Sequence, residues 1–318
     1  MNSEFEFINH IKERFSASRI GDDCAVLSKD ESTDQLITAD LLVEDIDFRL
    51  EWTSPQLLGH KALAVSLSDI AAMGGTPEWA MTSIGVPERV WNSDFLDQFY
   101  DGWGKLASRF GVELIGGDVS RTPDKIVVDS IVGGEVEKGK AVLRSGARSG
   151  DAIYITGYLG GAAGGLSLLE AGFTFADSSG GRQELIASQL RPTPQVETGR
   201  IVCERGVATA MIDISDGLSS DLAHICEASS SGAEIERSLI PIDPNLSLLL
   251  LGSEEIIDLA LNGGEDFQLL FTANAEKDLE LLVPTARRIG TVTASVGLIQ
   301  LVDRGTRVDL PSKGFRHF

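Results

Sequence analysis

The chain has 318 residues, long enough for two domains with cores of their own, and 42% of them are hydrophobic, as in an ordinary globular protein. A formal net charge of −21 argues against nucleic acid or an anionic membrane surface as partner, and requires that metal ions bridge any phosphate substrate to the protein. Three cysteines without C-x-x-C spacing imply a reducing compartment; the first residues do not read as a signal peptide and no apolar run is long enough to span a bilayer, so a cytoplasmic location is expected.

Residues 4–15 read as a short helix, and Gly21-Asp22-Asp23 as a turn that enters a strand ending at Leu27. A second strand over 35–43 carries Thr38, Ala39 and Asp40. The stretch from His60 to Gly75 follows. Between 62 and 73 it holds only apolar and small residues apart from Asp69 and two serines. Ala, Leu and Met favour helix, and Gly74-Gly75 before Pro77 stops it. A helix apolar on nearly every side is buried, so Asp69 faces protein or a cavity. A buried carboxylate needs a partner, and no Arg or Lys lies within a helical turn, Lys61 being two turns back. A cation is one candidate, and the amides of another element are a second.

A strand over 79–86 ends at Pro87, and Ser93 is placed to cap a helix running to about Phe110, with Phe95, Leu96, Phe99, Trp103 and Leu106 in helical spacing. Residues 112–119 read as a strand that breaks at Gly116-Gly117 to present Asp118, and 126–136 as a β-branched strand. Strands and helices mix without a regular βαβ repeat. The expected class is therefore α/β in content and α+β in arrangement, with mixed sheets layered with helices. The polar, glycine-rich segment 143–150 marks a boundary between domains 1–150 and 151–318.

The second half restarts with a strand over 151–156. Gly157-Tyr-Leu-Gly-Gly-Ala-Ala-Gly-Gly165 then leads into a helix, and close packing on small residues explains these glycines better than a phosphate loop, because neither G-K-[ST] nor G-x-G-x-x-G is present. A loop at 178–181, a helix starting at 191–194 and a strand over 207–212 come next. That strand delivers Asp213-Ile-Ser-Asp-Gly-Leu218 into a helix ending near 229. After a less regular region, Asn262-Gly-Gly-Glu-Asp266 turns into a strand over 267–272, and strands at 295–302 and 306–309 precede the tail 312–318. His10, His60, His224 and His317 share no metal or triad spacing and read as surface or packing residues.

Five places repeat one design, an apolar element that ends or breaks at small residues and presents a carboxylate: Asp22-Asp23, Asp40, Asp69, Asp118 and Asp213 with Asp216. Glu265-Asp266 is a sixth. An all-oxygen set suits a hard cation, Mg²⁺ or Ca²⁺, and argues against zinc. Mg²⁺ typically takes one or two carboxylates plus phosphate oxygens, so this many implies several ions and hence phosphoryl transfer or phosphate activation. Taken singly, each residue has a plainer reading: Asp22 as a solvated turn residue, Asp216 as a charge satisfying a helix N-terminus.

Ile20-Gly-Asp-Asp23, Lys61-Ala-Leu-Ala-Val-Ser-Leu-Ser-Asp-Ile-Ala-Ala-Met-Gly74, Leu114-Ile-Gly-Gly-Asp118, Leu143-Arg-Ser-Gly-Ala147, Asp213-Ile-Ser-Asp-Gly-Leu218 and Gly263-Gly-Glu-Asp-Phe267 occur in this order. Together they resemble the thiamine-monophosphate kinases, over nearly the whole chain. The resemblance implies the two-domain fold of aminoimidazole ribonucleotide synthetase, with an N-terminal ATP- and metal-binding domain that dimerises through its sheet and a C-terminal domain completing the active site. It also implies direct in-line transfer of the ATP γ-phosphoryl group to thiamine monophosphate, with several Mg²⁺ ions and a homodimer. On it, Asp23, Asp40, Asp69, Asp118 and Asp213 hold the metals, assisted by Thr38, Ala39 and Asp216, and catalysis centres on Asp69, Asp118 and Asp213. Gly117, Asp118, Arg144 and Ser215 contact ATP, while Asp47, Glu265 and Ser312 face the acceptor. Three departures touch the acceptor or its metals: Ala39 where Thr is common, Asp47 in place of a histidine, and Ser312 where an aromatic residue is often found. Two alternatives stay open, an ATP-dependent synthase of the same superfamily acting on another acceptor and a non-catalytic nucleotide- or metal-binding relative.

Overall fold

The computed structural model describes residues 4–275, 279 and 282–315; His317 and the end of the tail lie outside them. After α1 (Glu4–Phe15), the first half builds a five-stranded sheet from β1 (Ala25–Ser28), β2 (Thr33–Val43), β3 (Thr76–Val86), β4 (Glu113–Arg121) and β5 (Val127–Glu137), in the order β1-β2-β5-β3-β4. All pairings are antiparallel except β3 with β4. Alternation sends Leu36, Thr38 and Leu42 of β2 to the buried face and Ala39 and Leu41 to the opposite one.

Helix α2 (Pro55–Ala72) covers the buried face. It starts where the Ser54 hydroxyl accepts the Leu57 N–H and Pro55 takes the first turn, and it ends before Gly74 at φ +71°. Leu58, Leu63, Leu67 and Ile70 are fully buried along it, each contributing about 2 kcal/mol of apolar burial. After α3 (Glu88–Trp91), α4 (Phe95–Phe110) crosses α2 so closely that a Cβ on Gly102 would lie 1.9 Å from the Gln56 carbonyl oxygen. The Ser93 hydroxyl accepts the Phe95 N–H there, one residue before the N-cap position.

The second half holds a seven-stranded sheet in the order β12-β11-β8-β10-β6-β9-β7. Its strands are β6 (Ala152–Thr156), β7 (Ala208–Asp213), β8 (Gly232–Glu236), β9 (Leu269–Ala273), β10 (Ala286–Thr293), β11 (Ile299–Asp303) and β12 (Thr306–Asp309). The helices are α5 (Gly161–Glu170), α6 (Gly181–Leu190), α7 (Val196–Glu204), α8 (Leu218–Ala228) and α9 (Ser253–Asn262). The core under the first sheet continues through α7 into Tyr154, Met211 and Phe271 of the second. Helix α2 is therefore the shared wall of both halves, and it packs so tightly on α7 that a Cβ on Gly199 would lie 2.1 Å from the Ala71 carbonyl oxygen.

The structure differs from the sequence expectation in places. Strand β4 does not break at Gly116-Gly117; it runs straight through, with an irregularity opposite Ala80 and Met81 absorbing the extra residue. Helices α6 and α9 and strands β8 and β10 fall in stretches to which the sequence reading assigned no element. In α6 only Leu185, Ile186 and Leu190 are buried apolar residues, too few to announce a helix.

Candidate active site

Four carboxylates converge where the two sheets meet across α2. The turn before β1 supplies Asp23, β2 supplies Asp40, the last turn of α2 supplies Asp69, and β7 ends at Asp213. Oxygens of Asp23, Asp69 and Asp213 all lie within 4.8 Å of one another. The hydroxyls interspersed in the apolar helix aim at these groups: Ser66 donates to Asp40 at 2.6 Å and Ser68 to Asp213 at 2.6 Å. Thr38 donates to Asp69. Arg144 is the facing cation, its Nη2 2.6 Å from Asp23 Oδ1, and its backbone N–H donates to Asp22 at 2.8 Å. Asp22 is thus no mere turn residue, since it pins the segment between the halves.

The electrostatics record an imbalance. Burial, reinforced by the Asp23 charge, pushes Asp213 up to about 8, and burial pushes Asp40 up to about 6. Asp69 stands well above the carboxylate range because of burial and the charges of Asp40 and Asp213. Even Asp23 is raised by burial, against the pull of Arg144. Its second oxygen is buried with no hydrogen-bond partner. One guanidinium does not balance four such groups, and an all-oxygen set this close fits hard divalent cations.

Asp118 is not brought into this cluster. Gly117 aligns across the sheet with Thr82, Ser130 and Asp40, so the next residue, Asp118, shares the opposite face with Ser83, Asp129 and Leu41. The two-residue period of a strand separates it from the other carboxylates within the chain. Gly117 itself has φ +148°, and a Cβ there would lie 2.0 Å from the Thr82 carbonyl oxygen; strand contact alone demands this glycine. Ala39 points its side chain to the exposed face.

Asp216, just before α8, groups with Asp221 and His224 within the same 4.8 Å limit. Burial and the nearby Arg144 push His224 down to about 4, and this histidine, read from the sequence as a surface or packing residue, packs beside Asp216 and Asp221.

A cleft of about 590 Å³ opens beside the cluster. It is lined from the first half by Asp40, Asp47, Trp52 and Lys61, and from the second by Ser215, Asp216, Glu265 and Phe315. Asp47 accepts the Val43 N–H at 2.7 Å and still faces the cleft. Ser312 does not line it; its hydroxyl is hydrogen-bonded to that of Ser220 at 2.7 Å. Phe315, three residues later, does line the cleft, with a ring that is 52% exposed. Glu265 holds a left-handed φ of +66°, as does Phe267 at +47°, conformations that cost about 1–3 kcal/mol each in a non-glycine residue. Asp266 turns the other way, accepting the Gly160 and Ala162 N–H groups at 2.6 and 3.1 Å. The N-terminus of α5 is thereby occupied by a side chain, and a Cβ on Gly165 would lie 2.1 Å from the Leu185 carbonyl oxygen, which supports packing over a phosphate loop for this segment.

Lys61, Gln189 and Phe315, which line the cleft, and His224, which groups with Asp216, are residues to which the sequence reading gave no site role. The serines of α2 were the available signal: hydroxyls in an apolar helix point to polar targets on both sides.

Residues 21–136 match the family model of the AIR synthase related protein, N-terminal domain, and residues 148–300 that of the C-terminal domain. Two mixed sheets sharing one helix, with carboxylates gathered between them, are thus an AIR synthase related protein. The chain is 38% identical over 307 residues to the thiamine-monophosphate kinase of Bacillus subtilis, covering 94% of this chain and 93% of that one. It is 37% identical over 335 residues to that of Escherichia coli K12, covering 99% and 98%. The solved structure of AaThiL complexed with AMPPCP and TMP matches with a TM-score of 0.89 at 32% identity, over 99% and 97% of the two chains. The chain belongs to the thiamine-monophosphate kinase family.

Proposed function

We propose that this chain transfers the γ-phosphoryl group of ATP directly to thiamine monophosphate, giving ADP and thiamine diphosphate. The observation that carries the reading is the convergence of Asp23, Asp40, Asp69 and Asp213 with Arg144 beside an acidic, ring-lined cleft. An oxygen of the acceptor phosphate forms the new bond to the γ-phosphorus as the bond to ADP breaks. The attacking group is already anionic and needs no strong base, so positioning and charge neutralisation do most of the work.

Several Mg²⁺ ions, held by Asp23, Asp40, Asp69 and Asp213 with Thr38, the Ala39 carbonyl and Asp216 assisting, would neutralise the phosphate oxygens. Arg144 exchanges part of its contact with Asp23 for a phosphate oxygen of ATP, and Ser215 and Gly117 complete that side. Asp47 and Glu265 offer negative charge to the cationic thiazolium, and Trp52 and Phe315 offer ring faces. Residues 1–150 form the nucleotide, metal and dimer domain and 151–318 complete the site. The exposed face and edge of the first sheet carry Leu41, Leu114, Ile115 and Val119, an apolar surface suited to a second copy of the chain. Three buried free cysteines accord with a reducing cytoplasm, and no helix among the described residues is long and apolar enough to cross a membrane.

The test is ADP release by the purified protein with ATP and Mg²⁺, with and without thiamine monophosphate, and identification of the product by mass. Thiamine diphosphate that requires both substrates is expected. ATP binding without thiamine diphosphate formation would overturn the acceptor assignment, and no ADP production over a panel of acceptors would overturn the kinase reading in favour of a non-catalytic relative.

A further inference from the structure

Lys61 is only 2% exposed in the otherwise apolar helix α2, and nothing in the chemistry above uses it. Its ammonium reaches from the first half to the second: Nζ lies 2.7 Å from Glu265 Oε1 and 3.4 Å from the Asp47 carbonyl oxygen. The other Glu265 oxygen accepts from the Gln189 side chain on α6, and the Glu265 N–H donates to the Ser215 carbonyl at 2.7 Å. Three segments therefore converge on one residue at the cleft wall, and its left-handed backbone is the kind that persists only where the surroundings over-determine it. A buried ion pair is a poor source of stability compared with apolar packing, so a task other than folding accounts best for this lysine.

Helix α2 also sets a distance. Lys61 and Ser68 are seven residues apart and so lie on one side of the helix, about 10 Å apart along its axis. At the far end Ser68 donates to Asp213 and Asp69 joins the carboxylates; at the near end Lys61 holds Glu265. We infer that Lys61, with Gln189, is a positioning residue that fixes Glu265 to receive the cationic, hydrogen-bond-donating body of the acceptor, while the acceptor's phosphate lies about two helical turns away at the Asp69 end. The inference rests on the kinase reading and adds what measures the acceptor's length and charge. Lys61 acts through Glu265; it does not touch the transferred group.

The experiment compares Lys61→Met, Glu265→Gln, the double variant and Gln189→Leu with the unmodified protein, reading KM for each substrate and kcat. Unmodified protein that makes no thiamine diphosphate fails the kinase reading itself, so the two ideas fail separately. In an active protein, Lys61→Met should raise KM for thiamine monophosphate at least 10-fold and leave KM for ATP within 2-fold. The double variant should be no worse than Glu265→Gln alone, because the lysine has nothing left to position. Lys61→Arg should recover part of the loss. Additive effects of Lys61→Met and Glu265→Gln, an unchanged acceptor KM, or an equal rise in both KM values would each overturn the inference. Should Lys61→Met not fold, Gln189→Leu at the other oxygen bears the same test, with a rise of at least 3-fold confined to the acceptor KM expected.

Discussion

In the absence of divalent cations the stability of this protein should fall as pH rises, and Asp213→Asn should remove much of that slope. In the unfolded chain Asp213 gives up its proton near 3.8, whereas the folded protein holds it up to about 8. Between those values folding takes up a proton at this group, so Asp213 alone costs the metal-free protein about 1.4 kcal/mol per pH unit, of order 5 kcal/mol by pH 8, in addition to what Asp40 and Asp69 contribute. Below pH 3.8 the carboxyl is protonated in both states and the penalty vanishes. With an unfolding entropy of roughly 2.1 cal/mol/K per residue over the chain, the loss corresponds to about 2 °C of Tm per pH unit. A thermal melt series from pH 5 to 8 in EDTA should show that decline, and on the proposed metal role saturating Mg²⁺ should flatten it by binding the ionised set. Equal slopes in Asp213→Asn and the unmodified protein, or no flattening by Mg²⁺, would show that these carboxylates are balanced by something other than metal.

Asp69→Asn removes a charge from the centre of the cluster with little change in shape. Turnover should fall at least about 100-fold while the metal-free Tm rises, checked by steady-state assay and melts in EDTA. Phe315→Ala should raise KM for thiamine monophosphate by roughly 3- to 10-fold through a lost ring contact, with KM for ATP unmoved. Gly102→Ala places a methyl group against the Gln56 carbonyl and forces α4 away from α2, costing about 1–3 kcal/mol; calorimetry should show a lowered Tm.

Much of the site's chemistry was legible because it is local. Small residues beside Asp23, Asp69 and Asp213 mark carboxylates presented at element ends, and the serines of α2 sit where a helix period aims them to both sides. Asp118 shows the limit. Its small-residue context resembles the others, but whether a strand ends or continues at two glycines depends on its partner; β4 stays paired with β3 through Arg121, and alternation carries Asp118 to the outer face. Phe315 and Ser312 differ by three residues in a tail without period, so only packing against α8 decides which one reaches the cleft.

The sequence by itself determined the charge that calls for a cation, the buried character of α2, the all-oxygen donor set and the family motifs. The tertiary structure decided which carboxylates meet, that Arg144 faces Asp23, and that Lys61 is a buried cation gripping Glu265 across 204 residues of chain. The reason is the range of the forces. Propensity and turn chemistry act over a few residues, whereas burial and ion pairing depend on which distant surfaces pack together, and no local pattern encodes that choice.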